Sequence, residues 1–135
     1  MSAADAFFDT NVLLYLLSDD WAKAGRAEDL AGAGGTISVQ VLNEFANVAR
    51  RKFAAPWPVV RKNLEVFRAV FEVAPVTVEV HELGLALAER HQLGLYDALL
   101  LAAARIAGCG IFYSEDLQDG LCIENSLTVR NPFVG

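Results

Sequence analysis

Ala4-Asp5-Ala6-Phe7-Phe8-Asp9-Thr10-Asn11-Val12-Leu13-Leu14-Tyr15-Leu16-Leu17, residues 4–17, opens with a short apolar run that stops at an acid. Residues 4–8 read as a buried strand ending at Asp9, and residues 11–17 are apolar on too many faces for a surface helix. The arrangement returns late in the chain, where Ile111-Phe112-Tyr113 reads as a strand and Ser114-Glu115-Asp116 follows it. Between the two, helical and strand patterns alternate. Residues 20–31 are Ala-rich and helical, stopped by Gly32, Gly34 and Gly35, and residues 36–38 read as a brief strand. A helix from Ser38 or Val39 to about Lys52 follows, with Val41, Phe45, Val48 and Lys52 as its core-facing stripe. Pro56-Trp57-Pro58 breaks the chain and starts another helix, whose buried face is Val60, Leu64, Phe67 and Phe71. A strand over 73–76 around Pro75 precedes a helix over 78–91, with Leu83, Leu87 and Arg90 on one side and Gly94 ending the unit. Residues 97–107 form a nearly all-apolar helix that must be central and covered, closed by Gly108 and Gly110. One or two short strands are expected in 121–133.

Such alternation indicates an α/β fold with a mainly parallel sheet covered on both faces. With 135 residues and no internal repeat, low-complexity tract or linker, a single domain over 1–135 is expected. Hydrophobic residues make up 54% and charged ones 21%, which excludes a disordered chain. The longest apolar stretch, Ala98 to Ala104, is too short to span a bilayer and is closed by Arg105. Asp5 and Asp9 interrupt the first apolar segment and no basic region precedes it, so no secretory signal is read. Cys109 and Cys122 form no CxxC pair and read as reduced residues in or near buried strands, which points to the cytoplasm. The net charge of −6 does not advertise a nucleic-acid binder. Positive charge is uneven, however: Arg50, Arg51, Lys52, Arg61, Lys62 and Arg68 lie close together, either as solvated helix faces or as phosphate contacts.

Four acids mark places where apolar elements emerge: Asp9, Glu44, Asp97 and Asp116. Ligands of parallel sheets bind at the carboxyl ends of the strands, and Asp9 and Asp116 lie just past two of them. Carboxylates gathered in a partly buried pocket repel one another and call for a cation, here a hard divalent one. Taken singly, Asp9 and Asp97 have a second reading as helix caps or dipole partners, and Asp116 as a turn residue. Glu44 borders a buried stripe, is not at a capping-box position, and has no basic neighbour on its face. Asn11 and Ser114 are placed either to orient these carboxylates or to cap turns. His81 and His91 do not have the spacing of a ligand pair.

In Phe8-Asp9-Thr10-Asn11-Val12-Leu13-Leu14-Tyr15, Ile37-Ser38-Val39-Gln40-Val41-Leu42-Asn43-Glu44-Phe45, Leu95-Tyr96-Asp97-Ala98-Leu99-Leu100, Tyr113 to Gly120 and the Asn131-Pro132-Phe133 tail, the chain resembles PIN-domain ribonucleases. More narrowly it resembles the VapC-like toxins of type II toxin–antitoxin systems. The resemblance covers nearly the whole chain and implies a three-layer α/β/α sandwich. It implies that Asp9, Glu44, Asp97 and Asp116 hold Mg2+ or Mn2+, with Asp9 and Asp97 the most direct ligands. Glu44 and Asp116 would act through water or a second ion, supported by Asn11 and Ser114, with Asp119 as a further acid. Endonucleolytic cleavage of RNA by metal-activated water is implied, leaving a 5′-phosphate and a 3′-hydroxyl. A cognate antitoxin and a homodimer are the implied partners, and Arg50, Arg51 and Lys52 are candidates to grip RNA.

Other classes fit less well. An aspartyl phosphatase wants an Asp-x-Asp pair after the first strand, where Asn11 takes the second position. A receiver-like signalling domain wants adjacent acids there and a mid-chain phosphoacceptor, neither of which is evident. A stand-alone PIN nuclease in RNA processing and a non-catalytic PIN scaffold stay open. No Ser–His or Cys–His nucleophile pair is present.

Overall fold

The computed structural model of the protein describes residues 5–134. Strand β1 is Ala6–Phe8; the expected start at Ala4 lies outside the described residues. Helix α1 (Thr10–Leu14) runs into a 3-10 turn at Tyr15–Leu17, then come α2 (Trp21–Gly32), β2 (Thr36–Ser38), α3 (Val39–Lys52) and α4 (Trp57–Val70). The chain continues through β3 (Glu72–Ala74), α5 (Val78–His91), α6 (Leu95–Ile106), β4 (Ile111–Tyr113), β5 (Cys122–Ile123) and β6 (Leu127–Arg130). The strands form a sheet in the order β3-β2-β1-β4-β6-β5, parallel throughout except for the β5–β6 pair. Helices cover it, giving an α/β/α sandwich. Among the described residues no helix is long and apolar enough to cross a membrane.

Aromatic pairs set the central register. Phe7 stands opposite Phe112 and Phe8 opposite Tyr113 across β1 and β4. The Phe7 and Phe112 rings stack with centroids 5.4 Å apart, and those of Phe8 and Tyr113 lie 5.3 Å apart. Such cross-strand pairs stabilise one alignment against slippage. The ladder runs on past the strands: Asp9 N–H donates to Tyr113 O at 2.9 Å, and Ser114 N–H to Arg130 O at 3.0 Å. Asp9 and Ser114 therefore leave the sheet side by side.

Several helix faces differ from the pattern read in the sequence. The buried line of α3 is Val41, Phe45 and Ala49; Val48 is half-buried and Lys52 exposed. A reading by side-chain size favours Val48, whereas the helical period selects the smaller Ala49. On α5 the buried line is Val80, Gly84 and Leu87: Leu87 faces inward, whereas Leu83 is half-buried and Arg90 exposed. Gly84 is there because α6 presses against it: a Cβ would stand 2.5 Å from Leu99 Cδ2. Strand β3 ends at Ala74, so Pro75 follows it instead of lying within it, as its missing N–H requires. Helix α6 begins at Leu95 with Gly94 as its N-cap, two residues before the expected start. Residues Ala98 and Leu100 to Ala104 are buried on it. Cys109 is buried, but Cys122 is exposed on β5.

Candidate active site at the carboxyl edge of the sheet

Asp9 occupies the N-cap position of α1, yet its side chain makes no capping hydrogen bond. Only 5% of it is exposed. Its Oδ2 accepts from Ser114 Oγ at 2.8 Å and from Asn11 Nδ2 at 3.3 Å. Capping thus does not account for a carboxylate buried here.

The neighbouring acids arrive from other elements. Glu44, half-buried on α3, accepts from Thr10 Oγ1 at 2.7 Å and from Gln40 Nε2 at 2.9 Å. Gln40 Nε2 also donates to Tyr96 O at 3.1 Å, which joins α3 to the first turn of α6, where Asp97 lies. Thr10 and Gln40 are uncharged, and so are not among the basic partners that the sequence leads one to expect for Glu44. Gln40 precedes Glu44 by one helical turn, a spacing that brings side chains together, and so could have been found. Asp116, exposed, follows β4 with its N–H directed to Ser114 Oγ at 3.2 Å.

The electrostatics tie the four acids together. Burial is the largest influence on Asp9, opposed by the Ser114 hydrogen bond, and the negative charges of Asp97, Glu44 and Asp116 add to it. Its pKa is pushed up to about 7 from an ordinary 3.8. Asp97 is raised as well, by burial first and then by Asp116 and Glu44. A group of like charges held this way is stabilised by a bound cation.

Among the described residues, no three or more His, Cys, Asp and Glu side chains are arranged as a ready-made metal cage. A small hard cation does not require one, since Mg2+ keeps several waters and is bound through one or two carboxylates. The donors at this edge are all oxygens. Ser38 Oγ, fully buried at the end of β2 beside β1, has no hydrogen-bond partner. The residues present fit such an ion.

Asp119 and Arg50 are engaged elsewhere. Asp119 is exposed, and its Oδ1 accepts the Asn131 N–H at 2.8 Å, tying down the tail. Arg50 donates to Ala55 O at 3.0 Å, and its guanidinium sits 4.6 Å over the Trp57 ring, so it braces the α3–α4 turn. Arg51 and Lys52 are exposed. Lys52 lines a groove of about 600 Å3 that also reaches Asn11, Tyr15, Phe53, Glu115 and Asp116.

A toxin–antitoxin complex from Klebsiella pneumoniae is similar in structure, with TM-score 0.70, 23% identity, and coverage of 94% of this chain and 97% of that one. Mycobacterium tuberculosis VapC20, a toxin that cleaves the sarcin–ricin loop, aligns at TM-score 0.63 and 22% identity over 82% of this chain and 89% of its own. VapBC2 of Rickettsia felis, bound to a DNA fragment from its promoter, aligns at 0.61 and 18%, over 82% and 87%. At such identities the likeness speaks for the fold. No curated protein matches the chain by sequence. The family model for the PIN domain matches residues 6–118, a span that holds β1, all six helices, β4 and the four acids: the chain belongs to the PIN-domain family.

Proposed function

We propose that the protein is a Mg2+- or Mn2+-dependent endoribonuclease and the toxin of a type II toxin–antitoxin module, held inactive by a cognate antitoxin. The observation that carries this reading is the meeting of Asp9, Glu44, Asp97 and Asp116 at one sheet edge, where burial first, and then the charges of Asp97, Glu44 and Asp116, raise the pKa of Asp9. Asp9 and Asp97 hold the ion most directly, and Glu44 and Asp116 complete its surroundings. Ser114 and Asn11 fix the Asp9 carboxylate, while Thr10 and Gln40 fix that of Glu44. When bound, the ion supplies an acidified water and offsets charge on a phosphodiester. Exposed Arg51 and Lys52 contact RNA phosphates. The likeness to a loop-cleaving toxin and to a toxin–antitoxin complex supports RNA as substrate and an antitoxin as partner. A homodimer in the cytoplasm completes the reading.

The test is RNA cleavage by purified protein with Mg2+ or Mn2+, beside Asp9→Asn and Asp97→Asn. Cleavage should end in 5′-phosphate and 3′-hydroxyl groups and disappear in both variants. Cleavage that persists in them, or in excess EDTA, would falsify the assignment. Growth arrest on expression, relieved by the product of a short adjacent reading frame, tests the toxin role. Its absence would leave a stand-alone PIN nuclease.

A further inference from the structure

Glu115 separates Ser114, which holds Asp9, from Asp116, and it is gripped at both ends. Its N–H donates to Asn11 Oδ1 at 3.3 Å, and the same Asn11 side chain reaches Asp9 through Nδ2. Its carboxylate meets Lys23 Nζ at 2.5 Å and accepts the Tyr15 hydroxyl. Lys23 Nζ donates to Tyr15 Oη at 3.2 Å and lies 4.8 Å over the Tyr15 ring and 5.3 Å over that of Phe133. Phe133 meets Tyr15 edge-on at 4.9 Å, and the preceding Pro132 O accepts from Arg26 Nε at 3.0 Å, which fastens the tail to α2. The 3-10 turn and α2 thus close on the Glu115 side chain, and the tail packs against the two residues that hold it, at the start of a loop whose far end is tied by Asp119 and Gly120 to Asn131 and Val129.

We infer that Lys23 and Tyr15 are positioning residues that, by clamping Glu115, aim the Asp116 carboxylate at the ion and keep Glu115 from acting as a rival ligand. This rests on the proposed metal-dependent function. A carboxylate paired with an ammonium at 2.5 Å, and accepting a phenol as well, is occupied. Its neighbour Asp116 is left exposed and free to turn to the metal. Such supporting contacts govern metal affinity over about 10–100-fold in other sites.

The experiment measures Mn2+ affinity of the intact protein by calorimetry, beside the Mg2+ concentration giving half-maximal cleavage. Lys23→Met and Glu115→Gln should each weaken Mn2+ binding by about tenfold and shift the Mg2+ requirement by a like factor. KM for RNA should stay constant. Lys23→Arg, which keeps a partner for Glu115, should lie within about threefold of wild type. Thermal unfolding should change by only a few degrees, since a single ion pair that keeps partial contact with solvent contributes little to stability. Lys23→Met and Glu115→Gln proteins that are folded and bind Mn2+ as wild type does would overturn the clamp and leave the metal site standing. Wild-type protein that binds no Mn2+ would overturn the proposed function itself.

Discussion

Replacing Asp9 with asparagine should make the metal-free protein more stable at pH 8 while removing its activity. In the folded chain the Asp9 carboxyl is pushed up to about 7, whereas unfolded it titrates near 3.8. Between those values the folded state holds a proton that the unfolded state has released. Stability is therefore fully present below the lower value and falls as pH rises through the window. The distance from 3.8 to about 7, at about 1.4 kcal/mol per pH unit, comes to about 4 kcal/mol. That is an upper figure for what Asp9→Asn recovers at pH 8, because Ser114 and Asn11 can both donate to the asparagine oxygen. The assay is urea unfolding in EDTA at pH 5, 6, 7 and 8, followed by circular dichroism. Wild type should lose stability toward pH 8, and the variant should follow a flatter line, keeping the residual slope from raised Asp97. Saturating Mg2+ should restore wild type at pH 8 and leave the variant unchanged. A variant less stable than wild type at pH 8 in EDTA would refute the electrostatic account of the site.

Ser114→Ala removes the donor to Asp9 and the acceptor for the Asp116 N–H. Mn2+ affinity should fall by about 10–100-fold, read by calorimetry, and an unchanged isotherm would reduce Ser114 to a packing residue. Gly84→Ala places a methyl against Leu99 and should cost about 1–3 kcal/mol, whereas Gly25→Ala, with nothing within 4 Å, should add about 0.5–1 kcal/mol. Denaturant midpoints separate the two, and equal effects would contradict the α5–α6 contact. Arg51→Ala and Lys52→Ala should each flatten the salt dependence of RNA binding by about one unit of log–log slope. Arg50→Ala should instead lower the melting temperature by freeing the turn at Ala55; a salt slope that moves with Arg50 alone would reverse these roles.

Much of the fold was legible because its signals are local. The brief strand Thr36–Ser38, the helix Val78–His91 and the strand Ile111–Tyr113 lie where composition and turn residues put them. What needed the assembled chain was which of two helical neighbours faces inward, as with Val48 and Ala49, and where α6 starts. A glycine at the cap of an apolar helix gives no side-chain signal, so the sequence pattern points to Asp97 where the helix begins at Leu95. Strand ends marked Asp9 and Asp116 as belonging to one edge. Glu44 and Asp97 sit on helices, whose approach to that edge depends on packing; the Thr10 bond to Glu44 and the Gln40 bridge to Tyr96 O exist only in the assembled chain. Lys23 and Glu115, 92 residues apart, carried no local mark at all.

The place of β1 between β2 and β4 has a consequence during synthesis of the chain. Its first neighbour emerges from the ribosome with residues 36–38, but its second only with residues 111–113. Until then one edge of the central strand is open, and Phe7 and Phe8 lack the rings that later face them. Pairing so distant in sequence closes slowly and late. The nascent chain thus grows by more than a hundred residues after Asp9 before Ser114 can stand beside it, and the acidic pocket comes into being only once residues 114–116 have followed.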